Sequence, residues 1–146
     1  MKDYLVRDWM TPNPVTCPSD TPLPEAHRLM LERRIRRLPV VDDGELVGIL
    51  TLGDARGAQA SEATSLSVFE LNYLLDKLPV RHVMHKPVIT VAPEATSANA
   101  ARLMLEHKIA GLPVVEAGRV IGILTESDIF RLMAESWQAR EERVVA

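Results

Sequence analysis

Thiol chemistry is almost missing from this chain, which holds a single cysteine, Cys17. One cysteine excludes an intramolecular disulfide, and it predicts a reducing, cytoplasmic setting. No apolar run approaches the ~20 residues of a membrane span, and Met1-Lys2-Asp3-Tyr4 lacks the pattern of a signal peptide. A membrane partner is therefore not expected. Basic charge is not in excess either: the net charge is −3, so no global field favours nucleic acid. Aromatics are scarce at 4%, and the two tryptophans, Trp9 and Trp137, read as helix-packing or interface residues. No Gly-x-Ser-x-Gly elbow, Walker loop or His-Glu-x-x-His run occurs. His82 and His85 stand near one another without a third ligand, so no metal site and no catalytic residue is expected.

What the chain does have is a copy of itself. Shifted by 74 positions, Met10–Asp54 lies on Met84–Asp128 without a gap. Leu38-Pro39-Val40-Val41 falls on Leu112-Pro113-Val114-Val115, and Gly48-Ile49-Leu50-Thr51 falls on Gly122-Ile123-Leu124-Thr125. A register kept that long means two copies of one structural unit. Each copy alone is near the lower limit for a self-supporting core, so the two are expected to pack on each other. The organisation reads as a first repeat with its N-terminal segment (1–62), a helical connector (63–79), a second repeat (80–134) and a C-terminal helix end and tail (135–146), of which Arg140–Ala146 reads as frayed and solvated.

Each repeat opens with a short segment ending in Met10 or Met84. An extended piece follows, Pro14-Val15-Thr16 or Val88-Ile89-Thr90. Apolar residues at helical spacing then predict a helix through Ala26, Leu29 and Met30, or Ala100, Leu103 and Met104. Asp42-Asp43-Gly44 separates two strands, a strong hairpin signal because glycine accepts the positive φ of such turns. Ala117-Gly118 holds that place in the second copy. A further helix begins after Thr51 and Thr125. In the connector, Ser67 and Glu70 have capping-box spacing, ahead of an apolar stripe through Val68, Leu71, Leu74, Leu75 and Leu78.

The best candidate site is the repeated Gly-x-x-Thr-x-x-Asp run, Gly48–Asp54 and Gly122–Asp128. It places a hydroxyl at a strand end and a carboxylate at a helix start, where free N–H groups attract anions. An aspartate there can accept two ribose hydroxyls. Thr-x-x-Asp is also close to a capping box and can act purely as a helix start. A second candidate is Arg33-Arg34-Ile35-Arg36-Arg37. Arginine suits phosphate through paired hydrogen bonds, and equally a helix C-terminus through the dipole. The second copy has Ala110-Gly111 where the first has Arg36-Arg37.

These motifs together resemble a tandem pair of cystathionine-β-synthase (CBS) domains, a Bateman module, over about Val6–Met133. The resemblance implies an α+β fold, with two pseudo-symmetric β-α-β-β-α repeats packed sheet to sheet. It implies a non-catalytic regulatory or sensor module that binds AMP, ADP, ATP or S-adenosylmethionine in clefts between the repeats. No cofactor is obligatory on this view, since the adenosine ligand is itself the effector. A homodimer and an unidentified regulated protein are the expected partners, with Val68, Leu71, Leu75, Leu132, Met133 and Trp137 as interface candidates. The alternative is a ligand-free dimerisation module whose Thr-x-x-Asp runs are only helix caps.

Carried onto this sequence, the resemblance assigns Thr51, Asp54, Arg36, Arg37, Lys86, Pro87, Val88 and Ile109 to one cleft. It assigns Thr125, Asp128, Ala110, Gly111, Pro12, Asn13, Pro14 and Ile35 to the other. Each cleft joins one repeat's aspartate to the other repeat's opening segment. Only the Asp54 cleft has several cations, so a charged nucleotide is expected to prefer it.

Overall fold

The computed structural model describes residues 4–62 and 66–145. In chain order it contains α1 (Val6–Trp9), β1 (Thr11–Pro12), α2 (Leu23–Arg33), β2 (Arg37–Asp42), β3 (Glu45–Thr51), α3 (Leu52–Glu62) and α4 (Val68–Asp76). A 3-10 turn at Val80–His82 follows, then α5 (Ser97–His107), β4 (Gly111–Glu116), β5 (Arg119–Thr125) and α6 (Glu126–Val145). The chain is thus mixed α and β, with a helix–hairpin–helix sequence occurring twice.

The helices start and stop where local chemistry dictates. Pro22 stands at the N-cap of α2 and Pro24 in its first turn, where a missing N–H costs nothing. Thr96 caps α5 by accepting from the Asn99 amide at 3.1 Å. Both helices end on a residue in the left-handed conformation, Arg34 and Lys108. Leu23, Ala26 and Met30 form the buried face of α2, and Ser97, Ala100 and Met104 form that of α5. The hairpins β2–β3 and β4–β5 turn through Asp43-Gly44 and Ala117-Gly118, all four with positive φ as a two-residue type I′ turn requires. Each ladder slips once, after Val40 and after Val114.

The compact units cut the chain elsewhere than the repeats do. One comprises residues 1–14 with 89–146, the other residues 15–88. In the first, β1 pairs antiparallel with β5, Thr11 opposite Ile123 and Pro12 opposite Gly122. In the second, His85 makes the equivalent bridge to Ile49, with both backbone hydrogen bonds formed at 2.9 and 3.0 Å. Each repeat's opening segment therefore pairs with the other repeat's hairpin. The glycine of the repeated motif explains why this fits. A Cβ on Gly48 would stand 2.8 Å from Met84 Cγ, and one on Gly122 would stand 3.0 Å from Met10 Cγ. Each unit has its own core. Leu23, Met30, Leu38, Val40 and Leu50 anchor one, while Val6, Leu112, Val114 and Leu124 anchor the other.

Two expectations need correction. The extended pieces before α2 and α5 contribute no strand. They reduce to single parallel bridges, Cys17 to Val40 and Val91 to Val114. Beyond Cys17 the next N–H facing β2 belongs to Ser19, and it donates to the Asp42 carboxylate at 2.9 Å instead of to the β2 backbone. The tail is not frayed: α6 runs to Val145, supported by helix-forming Gln, Ala, Arg and Glu and a Gln138–Glu142 hydrogen bond one turn apart. In the connector the capping box forms as expected, with Ser67 and Glu70 bonded reciprocally. The stripe behind it is only partly covered. Leu75 is buried, whereas Val68, Phe69 and Tyr73 are exposed. Of the remaining interface candidates, Trp137 is exposed and Leu71, Leu132 and Met133 are half-buried. Among the described residues, no helix is long and apolar enough to cross a membrane.

Candidate functional site

Both Thr-x-x-Asp runs sit at the junction between a hairpin and a helix. β3 ends at Thr51 and α3 begins at Leu52, while β5 ends at Thr125 and α6 begins at Glu126. The junction is pinned by the residue before the partner strand. Leu52 N donates to Arg36 O at 2.9 Å, and Glu126 N donates to Ala110 O at 3.0 Å. Asp54 and Asp128 thus fall in the first turn of their helices, where a carboxylate complements the helix dipole.

The two copies split the bonds of a capping box between them. In the first, the Asp54 amide donates to Thr51 Oγ1 at 3.1 Å, and the threonine hydroxyl donates to Asp54 Oδ2 at 2.5 Å. In the second, the Thr125 amide and hydroxyl both donate to Asp128 Oδ2, at 2.9 and 3.2 Å. The carboxylates also have different side-chain partners across the junction. His85 Nε2 lies 2.6 Å from Asp54 Oδ2. Arg131 Nη2 lies 3.2 Å from Asp128 Oδ1. Arg131 is itself held by the Trp9 carbonyl at 3.2 Å and lies 5.3 Å from the Trp9 ring centroid.

Thr51 and His85 converge on the same oxygen of Asp54 instead of forming a relay. The arrangement suits a receptor for hydroxyl groups, because an ionised carboxylate accepts up to four hydrogen bonds across two oxygens.

The unit of residues 15–88 brings several of the expected residues together. Arg37 lies opposite Thr51 in the β2–β3 register. Arg36 supplies the carbonyl that receives Leu52, and Lys86 follows His85 along the segment beside β3, with a cis bond to Pro87 and then Val88. The unit of residues 1–14 and 89–146 does the same for the second set. Gly111 lies opposite Thr125, and Pro12 opposite Gly122. The Asn13 amide donates to Ile121 O at 3.1 Å ahead of Pro14, and Ala110 receives Glu126. Ile35 and Ile109 each lie two residues before a hairpin, packed against the core of their own unit.

Two residues of the junctions were not foreseen from the sequence. Arg131 is a cation beside Asp128, and its counterpart in the first copy is Gly57. His85 is matched by Thr11. A search for what the copies share passes over both. Their signal lies elsewhere: Arg131 is one helical turn beyond Asp128, and His85 follows the opening Met that reaches the hairpin glycine. Among the described residues, no group of three His, Cys, Asp or Glu could hold a metal ion.

Comparison with known proteins places these features in context. The family model for the CBS domain matches twice, over residues 6–61 and 80–135. The inosine-5'-monophosphate dehydrogenase of Korarchaeum cryptofilum is 34% identical over 97% of this chain, which spans 26% of that protein. The uncharacterised protein MJ1404 of Methanocaldococcus jannaschii is 36% identical over 92% of the chain, which spans 33% of it. The chain therefore spans a third or less of these curated relatives. Among solved structures, a putative acetoin utilization protein (AcuB) from Vibrio cholerae has a TM-score of 0.81 at 33% identity, covering 97% of this chain and 99% of its own. The CBS domain pair of protein MJ0100, in complex with 5′-methylthioadenosine and S-adenosyl-L-methionine, has a TM-score of 0.79 at 31% identity, covering 92% and 99%. CBSX2 in complex with AMP has a TM-score of 0.74 at 34% identity, covering 90% and 97%.

Proposed function

The chain belongs to the CBS domain family, and from that premise we propose that it is a non-catalytic regulatory module binding an adenosine-containing small molecule. AMP, ADP, ATP and S-adenosylmethionine are the candidate ligands. The observation that carries this reading is the carboxylate and hydroxyl built twice at a hairpin–helix junction. An adenosine ligand presents a vicinal diol, and a carboxylate flanked by helix N–H groups matches it. Two neighbours in fold bind adenosine compounds, 5′-methylthioadenosine with S-adenosyl-L-methionine in one and AMP in the other. Arg36, Arg37 and Lys86 favour a charged nucleotide at Asp54. The ligand acts as effector by binding one conformation more tightly than another, and the module passes that shift to a protein still to be identified. A homodimer accompanies this reading, with the exposed Val68 and Trp137 in its contact; sedimentation at low concentration as a monomer would contradict it.

Isothermal titration with AMP, ADP, ATP, S-adenosylmethionine and 5′-methylthioadenosine tests the binding. Saturable heat with at least one is expected, and silence from all five in ligand-free protein would overturn the proposal. A second reading is favoured by the capping bonds themselves, which can serve only to start α3 and α6. On that reading Asp54→Ala and Asp128→Ala each cost about 1 kcal/mol of stability, and no ligand raises the melting temperature of the native protein.

A further inference from the structure

Where α4 folds back on α2 and α3, polar side chains gather that helix packing does not call for. All three helices belong to the unit of residues 15–88 and touch one another. The Leu23 amide donates to Leu78 O at 2.8 Å, which sets the end of α4 beside the start of α2. A cleft of about 300 Å³ opens between the helices. His27 and Arg28 of α2, Gln59 of α3, and Asn72 and Asp76 of α4 line it. Pro24, Leu31 and Leu75 give it an apolar wall. A concave site with an apolar wall and a few convergent polar groups is the usual form of a small-molecule pocket.

The polar groups of this cleft are not spent on one another. Among the described residues, His27 Nε2 is buried with no hydrogen-bond partner, a destabilising arrangement in a folded chain. Gln59, Asn72 and Asp76 make no side-chain hydrogen bond or ion pair among the described residues either. Arg28 reaches Glu32 only at 4.0 Å. The second repeat shows that the helices can do without them. It carries Ala98 and Ala101 where the first has Pro24 and His27, and Met133 where the first has Gln59. There α6 runs on unbroken and does not fold back as α4 does. The unmatched polar groups thus occur where the returning helix makes a cleft.

The charges are of both signs. A guanidinium takes a carboxylate through paired N–H donors, and a carboxylate takes an ammonium. A purely anionic ligand would face Asp76 unpaired, and a purely cationic one would face Arg28. A ligand carrying both charges satisfies both. The amides of Gln59 and Asn72 can donate or accept, and the apolar wall accommodates a short hydrocarbon chain. We propose that this cleft binds a free aliphatic α-amino acid, its carboxylate on Arg28 and His27 and its ammonium on Asp76. The site shares no residue with the Thr-x-x-Asp junctions and is independent of the adenosine-binding function.

Three probes separate the charges: L-leucine, 4-methylpentanoate without the amine, and L-leucinamide without the carboxylate. Titration calorimetry and amide-shift mapping by NMR on the full chain read their binding. L-leucine is expected to bind saturably with a Kd of about 10 μM–1 mM, the scale of a small ligand in an open cleft. Its shifts centre on α2 and α4, and either analogue binds about tenfold more weakly. Arg28→Gln and Asp76→Asn each weaken L-leucine about tenfold. Arg28→Gln leaves L-leucinamide unaffected, and Asp76→Asn leaves 4-methylpentanoate unaffected. His27→Ala, which installs the residue of the second repeat, separates a ligand contact from packing. It weakens L-leucine by about threefold or more, while the melting temperature without ligand holds or rises because the unpaired nitrogen is gone. A lower melting temperature with unchanged affinity would make His27 a packing residue and overturn the site. No binding of L-leucine, shifts centred outside α2 and α4, or analogues as tight as L-leucine also overturn it, and each leaves the adenosine-binding function standing.

Discussion

Single residues in this chain carry consequences that their position alone does not advertise. Asp42 ends β2, and its carboxylate accepts from the Ser19 amide at 2.9 Å and the Ser19 hydroxyl at 2.5 Å. Those bonds, with a smaller contribution from Arg81, hold its pKa below the ordinary carboxylate value. The folded state thus binds the proton less readily than the unfolded chain. Its stabilisation is complete above the ordinary carboxylate pKa, near 4, and is lost as pH falls through the depressed folded value. Urea melts from neutral to acid pH should show native stability falling across that window. Asp42→Asn, already less stable at neutral pH, should fall less; an equal acid loss in both proteins would exclude Asp42 as the source. Gly48 makes a different claim. Its missing Cβ is the space that Met84 fills, so Gly48→Ala should cost about 1–3 kcal/mol through overpacking. The cost should shrink in a Met84→Ala background, because contacting residues couple. Additive losses in denaturant melts would show that the glycine is needed for something other than Met84.

At the scale of elements, the hairpins test how far turn chemistry decides stability. Ala117 sits at φ 52°, in the left-handed region, at the place Asp43 occupies in the first hairpin. A Cβ-bearing residue without a local polar group is strained there by roughly 1 kcal/mol, whereas Asn and Asp tolerate it. Ala117→Asn should therefore raise stability by about 0.5–1 kcal/mol, read as a higher urea midpoint with unchanged slope; no shift would mean the β4–β5 ladder, not the turn, sets that hairpin's stability. The same elements show what the sequence made legible. Both hairpins, α2, α5 and the capped α4 were readable because turn residues, caps and helical spacing are local signals. The first strand of each repeat was not. Whether Cys17 extends into a ladder depends on where the Ser19 N–H turns, and it goes to the Asp42 side chain. The tail was misread because its charged residues suit a solvated coil and a solvated helix equally. At the junctions, Thr51, Asp54, Thr125 and Asp128 were readable as a shared motif. Their side-chain partners His85 and Arg131 were not, since each belongs to one copy only and the 74-residue register hides what the copies do not share.

The whole molecule is organised by an exchange that neither copy reveals alone. Residues 1–14 belong to the compact unit that contains β4 and β5, and the segment around His85 belongs to the unit that contains β2 and β3. Removing residues 1–13 should therefore damage the far end of the chain and not its nearest repeat. Val6 is fully buried in the core with Leu112, Val114 and Leu124, and its loss alone forfeits roughly 1.5–3 kcal/mol of burial. The Val6 and Arg7 amides bond to the Ala95 and Pro93 carbonyls, and β5 loses its pairing to Thr11 and Pro12. The β2–β3 hairpin keeps its edge partner, because His85 remains on Ile49. Amide hydrogen exchange resolves the two outcomes. Protection should fall across Gly111–Thr125 and persist across Arg37–Thr51, since local opening follows the contacts that were lost. Loss confined to Arg37–Thr51 would mean that each opening segment serves its own repeat. In that case Met84 could not be what Gly48 makes room for, and the bond between His85 and Asp54, made from the second opening segment to the first hairpin's helix, would lose its structural basis.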